Sequence, residues 1–346
     1  MNNFYRKHMD AIQNTSNRIA YIDLFKGIAI IGVVWVHSHI PPSWLTPFLV
    51  NSIFFFISGC FFNRRQDSFY NLIIKNTKRI LIPFLFFYVL SYPFRIIVHF
   101  WDYRTLSNFD WLCVFDVFHF NAKPDYLFVN VPLWFLLSLF FINIFYFAIR
   151  KFPDIIIVLI AAACLFLKSF FYSIPSFFTI NVSLYWLGMF ALGNILGQRF
   201  IKLLNKKSFN KYIFILISSL IYIILSSTKL IYTEVILADI FIHLNMLLLI
   251  LILFSISSLL VQYRQKKGGS CIFNILNLYG INSLIILGFH VWVLIPIGRI
   301  LYKIFGQANI ATGITATFFT MIAAIVFIKF CNSTIPRLVG KKSISS

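Results

Sequence analysis

Residues 18–40 read RIAYIDLFKGIAIIGVVWVHSHI, a stretch that is apolar enough to span a membrane and yet carries ionisable side chains. An ionisable group near the centre of a bilayer costs roughly 2.5–3.5 kcal/mol on insertion scales, so it usually faces a protein interior or a water-filled cavity. Lys26 and His37 are eleven residues apart, just over three helical turns, which places them on one stripe about 16 Å apart along the axis. Asp23 lies on the same stripe. The sequence therefore predicts one helix face with an acid and a cation near one end and an imidazole at the other.

The composition of the whole chain is that of a polytopic membrane protein. Of its 346 residues 60% are hydrophobic and 12% are charged, and the mean hydropathy is +0.86. No stretch is left over for a separate soluble domain. The net charge of +20 would suggest a nucleic-acid partner in a soluble protein. In a membrane protein it more naturally sets topology and meets anionic lipid headgroups, so no nucleic acid is expected.

The distribution of Lys and Arg predicts how the chain is threaded through the membrane. If ten apolar stretches cross, the inner segments hold 22 of the 30 basic residues and the outer ones 7. Basic residues collect on the cytoplasmic side. We therefore predict an all-α bundle of about ten transmembrane helices in one domain, 1–346, with cytoplasmic tails at 1–17 and 331–346. The predicted spans are 18–40, 47–62, 80–100, 132–149, 154–172, 182–200, 212–228, 234–262, 275–298 and 312–330.

Short motifs give the sequence a resemblance to a known family. A basic residue, ten intervening residues and a histidine at the end of the first membrane helix resemble the hallmark of the integral-membrane acyltransferase-3 family. Lys26 and His37 match this pattern, with lysine where many relatives have arginine. Four further matches, of which the last two are most similar to the fucose O-acetylase-like and enterobacterial-common-antigen O-acetyltransferase-like branch, are FFFISG at 54–59, KRILIP at 78–83, LWFLLSLF at 133–140 and GINSLIILGFH at 280–290.

This resemblance implies a reaction, its substrates and a location. It implies acyl transfer from an acyl-CoA, most simply acetyl-CoA, to a sugar hydroxyl of a cell-surface or lipid-linked glycan. The acyl-CoA would be a donor substrate, and no permanently bound cofactor is expected. The protein would be a multi-pass protein of the inner or plasma membrane.

The candidate catalytic residues are His37, His290, Lys26 and Asp23. An imidazole near neutrality can remove a proton from a sugar hydroxyl as that oxygen attacks a thioester, and we assign this role first to His37. His290 is predicted to lie at a similar depth, so two helix ends could bring two imidazoles together. Lys26 could contact an anionic part of the donor. His39 points to another face of the helix than His37 and is the weaker candidate.

Each of these residues also has a structural alternative that the sequence leaves open. His37 could be an interfacial histidine that reaches the headgroups, and His290 could be a hydrogen-bonded packing residue. Lys26 and Asp23, one turn apart, could simply neutralise each other.

A dense basic segment follows the second span and supplies candidates for donor binding. Arg64, Arg65, Lys78 and Arg79 could bind the phosphates of CoA, and the last two stand in the KRILIP match. The alternative is that these charges only fix the topology.

A second polar group is expected in the outer part of the eighth span. Asp239 and His243 are four residues apart and therefore neighbours, with Glu234 nearby, so a carboxylate could orient an imidazole. A structural pair is the preferred interpretation, and Asn282 with Ser283 is expected to make contacts between helices. The histidines lack ligand-like spacing, so no metal site is predicted.

Two other functions fit the same features. A transporter or flippase for a lipid-linked sugar would also need polar residues inside a helix bundle. A membrane glycosyltransferase would need outer acids such as Asp102 or Asp116, which lie with several aromatic residues in the long outer segment 101–131.

Overall fold

The computed structural model of the protein describes nine stretches of the chain. They are residues 19–38, 47–65, 68–118, 129–171, 180–206, 208–227, 235–267, 271–307 and 309–341. His39 and Glu234 fall outside these residues, and so do the two ends of the chain.

The described residues form an all-α bundle without strands. A π-helical turn at Thr77–Leu81 joins the third and fourth helices, and 3₁₀ turns at Cys113–Phe118 and Val131–Leu133 lie between the fourth and fifth. In chain order the helices are α1 Ala20–Val36, α2 Pro47–Cys60, α3 Phe69–Asn76, α4 Ile82–Tyr103, α5 Trp134–Ile149, α6 Asp154–Phe171, α7 Ile180–Leu204, α8 Lys211–Ser227, α9 Val235–Lys267, α10 Cys271–Ile281, α11 Ser283–Phe305 and α12 Ile310–Thr334.

The helices confirm that the fold is all-α, with several helices able to cross a membrane. Each of the ten predicted spans coincides with helical structure. Six helical segments among the described residues are long and apolar enough to cross a membrane, and further apolar helices, among them Asn51–Cys60 and Lys211–Leu225, are shorter. The six long segments are Phe69–Tyr103, Val131–Ile149, Ile180–Leu204, Asp239–Lys266, Ser283–Phe305 and Ile310–Thr334.

Two spans differ in detail from their sequence-based boundaries. The third begins at Phe69 rather than residue 80, because the helix passes through the basic motif with Lys78 and Arg79 exposed and Ile80 buried. The ninth is interrupted at Asn282, which separates α10 from α11.

Glycines allow two pairs of helices, α2 with α7 and α1 with α10, to approach until their backbones touch. In the first pair, α2 and α7, a methyl group on Gly59 would lie 2.0 Å from the main-chain oxygen of Phe190. A methyl group on Gly193 would lie at the same distance from that of Phe56. Gly59 ends the FFFISG motif, so this motif supplies the close contact that small residues make possible between membrane helices.

The chain turns back against the bundle after α12. Val339 is buried, and Gly340 adopts a positive φ of 76° while it packs against the main chain of Arg79. The ammonium group of Lys341 donates to the side-chain oxygen of Asn282, which also accepts from Asn332 at 3.0 Å. The side chain of Asn282 therefore makes the contact between helices that the sequence predicted.

Candidate functional site

Two histidines from different helices meet at one end of the bundle. His37 follows the last residue of α1, and His290 lies within α11. Their ring centroids are 5.1 Å apart and the ring planes are inclined by 58°. His290 is fully buried, whereas His37 is half-buried. The structure thus brings together the two imidazoles that the sequence placed at similar depth.

The hydrogen bonds of both rings define which nitrogen holds the proton. Nδ1 of His37 lies 2.7 Å from the main-chain oxygen of Val33, and Nδ1 of His290 lies 2.9 Å from that of Leu287. A carbonyl oxygen can only accept, so each Nδ1 carries a hydrogen and each neutral ring keeps its lone pair on Nε2. Nε2 of His290 has no hydrogen-bond partner among the described residues. In each ring the hydrogen bond from Nδ1 therefore fixes the orientation of the basic nitrogen, Nε2.

A glycine crossing sets the register of the helices that carry the histidines. A methyl group on Gly27 would lie 2.0 Å from the main-chain oxygen of Leu276, and one on Gly280 would lie 1.8 Å from that of Asp23. Gly27 and Gly280 face each other, and His37 and His290 meet ten residues further along the chain on both sides. α1 therefore runs parallel to α10 and α11, and the crossing lies about 15 Å from the histidines.

An ion pair occupies the glycine end of this arrangement. Nζ of Lys26 lies 3.8 Å from a carboxylate oxygen of Asp23, one turn away, and both side chains are largely buried. A buried pair satisfies two charges that would each be costly alone. The predicted stripe is thus present, with the ion pair at the glycine crossing and the imidazole at the end of α1.

A hydrogen-bond network on the opposite face of α11 was not found from the sequence. The side-chain amide of Asn130 donates to the hydroxyl of Ser91 at 2.8 Å and to the main-chain oxygen of Gly288 at 2.9 Å. The indole of Trp292 donates to the same hydroxyl at 2.8 Å. Gly288 and Trp292 are four residues apart on one face, and His290 projects from the other. This network therefore fixes α11 against α4 while His290 faces α1. Its one signal in the sequence is that Asn130 comes just before the LWFLLSLF motif.

The four basic candidates for donor binding separate into two groups. Arg64 donates to the Asp154 carboxylate at 2.6 Å and to the side-chain oxygen of Asn194. Its guanidinium also lies over the ring of Tyr146. It is therefore committed to holding helices together. Arg65, Lys78 and Arg79 are exposed. These three are the ones whose positions leave them accessible to a phosphate.

The second polar group is present but is arranged differently from a carboxylate that orients an imidazole. Nδ1 of His243 lies 2.8 Å from the main-chain oxygen of Asp239. The carboxylate of Asp239 accepts from the hydroxyl of Tyr185 at 3.3 Å, and the ring of Tyr185 meets His243 edge-on at 4.9 Å. Trp186 completes the group, 5.8 Å from His243. All four side chains are buried.

Among the comparisons with known proteins, the match is to a family model. No curated protein and no solved structure matches the chain. A family model described as an acyltransferase domain matches residues 19–329, which takes in α1 with its histidine, the Asn282 break and almost all of α12. The chain therefore belongs to the acyltransferase-3 family and is a membrane acyltransferase.

Proposed function

We propose that the protein transfers an acyl group, in the simplest case acetyl from acetyl-CoA, to a sugar hydroxyl of a cell-surface or lipid-linked glycan. The observation that carries the proposal is the pair of imidazoles, each held by Nδ1 with its lone pair on Nε2. Two such bases at the end of a membrane helix suit the removal of a proton from a hydroxyl group. Family membership supplies the acyl transfer itself.

In the proposed reaction, His37 acts first as a general base and then as a general acid. Nε2 of His37 takes the proton of the hydroxyl group as its oxygen attacks the thioester carbonyl, and the new C–O bond forms. The tetrahedral intermediate then expels the thiolate of CoA, breaking the C–S bond, and the imidazolium returns the proton to sulfur. His290, buried beside it, would accept a hydrogen bond through its Nε2 from the protonated Nε2 of His37 and so favour the imidazolium between the two proton transfers.

The donor would approach from the cytoplasmic side, where acyl-CoA is made. Lys78 and Arg79, with Arg65, would receive its phosphates, and the pantetheine arm would extend along α1 from the level of Lys26 to His37. That interval of eleven residues is about 16 Å long. We further propose ten crossings with both termini cytoplasmic, in the inner or plasma membrane.

The experiment that tests this function measures free CoA released from acetyl-CoA by the purified protein, with and without membrane glycans. Replacement His37→Ala should lower turnover about 10²–10⁴-fold, the usual worth of a general base. His99→Ala is the matched control, because His99 also lies on a membrane helix but its ring contacts those of Tyr103 and Phe109 instead. A flippase would leave the thioester intact, and equal turnover of wild type and His37→Ala at matched protein level would contradict the proposal.

A further inference from the structure

The group formed by Tyr185, Trp186, Asp239 and His243 is not used by the proposed chemistry. A carboxylate and an imidazole inside a membrane bundle are expensive and are retained mainly where they serve a ligand or a transport path. Here they lie among two aromatic rings at one end of α7 and α9. Its position relative to the histidine pair follows from the contacts between the helices.

The directions of the helices follow from the described contacts. Three residues, 268–270, join α9 to α10, and Arg264 near the end of α9 donates to Asn274 near the start of α10 at 2.7 Å. The chain therefore reverses here, and α9 runs opposite to α10 and α11. α1 runs parallel to α10 and α11, as the glycine and histidine contacts show. α1 and α9 are therefore antiparallel.

One aromatic contact then fixes their relative height. The ring of Phe25 on α1 meets that of Phe254 on α9 at 5.1 Å. From this level, His37 is twelve residues along α1, and His243 is eleven residues back along α9. Both lie about 17 Å further toward the same end of the bundle. The second group therefore stands at the depth of the histidine pair.

The side of α9 that carries the group is also defined. Eleven residues are close to three helical turns, so His243 shares the face of α9 that Phe254 turns toward α1, and Asp239 lies one turn further on. On its other side the group is closed by Trp186, whose ring stacks on Phe55 at 5.3 Å. The group thus faces inward, toward the helix that ends in His37.

The chemistry of the group suits a neutral polyhydroxyl ligand. A carboxylate accepts hydrogen bonds from hydroxyl groups, and an imidazole can accept or donate one. The rings of Tyr185 and Trp186 offer apolar surface for the C–H face of a sugar. The exposed cations that suit a phosphate, Lys78 and Arg79, lie on a different element. We therefore expect an anionic donor to bind at the exposed cations and an uncharged acceptor to bind at this group.

We propose that Asp239, His243, Tyr185 and Trp186 form a subsite that holds the sugar ring of the acceptor, beside the histidines that activate one of its hydroxyl groups. This inference rests on the proposed function. Asp239 and Tyr185 are binding residues in it and take no part in the acyl transfer.

The test is sugar binding by the full-length protein in a detergent without a sugar headgroup. Saturation-transfer NMR with methyl glycosides of a hexose, a deoxyhexose and an N-acetylhexosamine should show binding of at least one of them. Asp239→Asn and Tyr185→Phe should each weaken it at least about tenfold, as loss of a hydrogen bond at a charged group does. Asp110→Asn is the control, because Asp110 is an exposed acid whose oxygen accepts from the main-chain nitrogen of Leu112, which asparagine can also do.

A second measurement separates binding from folding and from the donor half of the reaction. Thermal unfolding of Asp239→Asn and Tyr185→Phe is followed in parallel, and CoA release from acetyl-CoA in the absence of acceptor should be unchanged in the control Asp110→Asn. Sugar binding that is lost only where the folded protein is lost, or undiminished sugar binding in both variants, would overturn the subsite. If acetyl-CoA is consumed and no glycoside binds, the subsite fails while the function stands. If glycosides bind and no acyl-CoA is consumed, the function fails while the subsite stands.

Discussion

At the scale of single residues, the polar side chains inside the bundle contact partners from distant parts of the chain. His37 and His290 could be named from motifs and depth, because the cost of a buried imidazole marks it wherever it occurs. The hydrogen bonds of Arg64 to Asp154 and Asn194 could not be foreseen, since these partners are 90 and 130 residues away. Likewise Asn130 is an ordinary loop residue until Gly288 and Ser91 are placed beside it.

The ion pair of Asp23 and Lys26 leads to a prediction about charge. Lys26→Arg should keep activity, whereas Lys26→Ala should lose protein and activity, because a buried carboxylate left alone costs about 3–5 kcal/mol. The double change Asp23→Asn with Lys26→Gln removes that cost. Normal protein level without CoA release would then show that Lys26 serves the reaction. Recovery of both protein and activity in the double variant would mean that the pair is only structural.

At the scale of elements, apolar runs predicted the helices well and their interruptions poorly. The run 275–298 has no sequence signal at Asn282, and Pro296 lies inside α11 without ending it. The break coincides with tertiary contacts, since Asn332 and Lys341 both donate to the Asn282 side chain. The glycines in the motifs were visible as letters, but only the partner helix shows that they are contact points.

The crossing of α1 and α10 predicts how substitution of its glycine acts. Gly27→Ala places a methyl group 2.0 Å from the main-chain oxygen of Leu276, so the helices must move apart, at a cost of about 1–3 kcal/mol. The separation of the histidines should change with it, and CoA release should fall. Gly298→Ala, on α11 with nothing within 4 Å of the added methyl group, is the control. Thermal unfolding and CoA release together check the prediction, and equal behaviour of the two variants would refute it.

The π-helical turn between α3 and α4 carries the prediction for the donor. Reversal of both charges in Lys78→Glu with Arg79→Glu should raise the apparent KM for acetyl-CoA about tenfold or more, since attraction of the phosphates becomes repulsion. Lys206→Glu reverses an equally exposed cation elsewhere and should have little effect. An unchanged KM at normal protein level would remove Lys78 and Arg79 from the donor site.

At the scale of the whole molecule, composition and charge predicted a helical membrane bundle before any contact was known. The family match over residues 19–329 and the long apolar helices agree with it. The number of crossings depends on the shorter helices. α2, for example, has 14 residues, against the roughly 20 that a perpendicular crossing requires.

The topology of ten crossings can be checked directly. Reporter domains fused after Lys123 and after Lys207 should lie on opposite sides of the membrane, the first outside and the second in the cytoplasm. The physical reason is the excess of basic residues in every segment assigned to the inside. Reporters that lie on the same side would require a different number of crossings between residues 123 and 207.

The shared register of α1 and α10–α11 constrains how this sequence can evolve. Insertion of one residue between Gly27 and His37 would rotate the imidazole by about 100° and move it by about 1.5 Å, and the same holds within α11 between Ser283 and His290. Side chains within these intervals can vary as long as they pack, but the length of each interval cannot. When homologous sequences are aligned, gaps should therefore be missing from both intervals, even where the residues themselves differ.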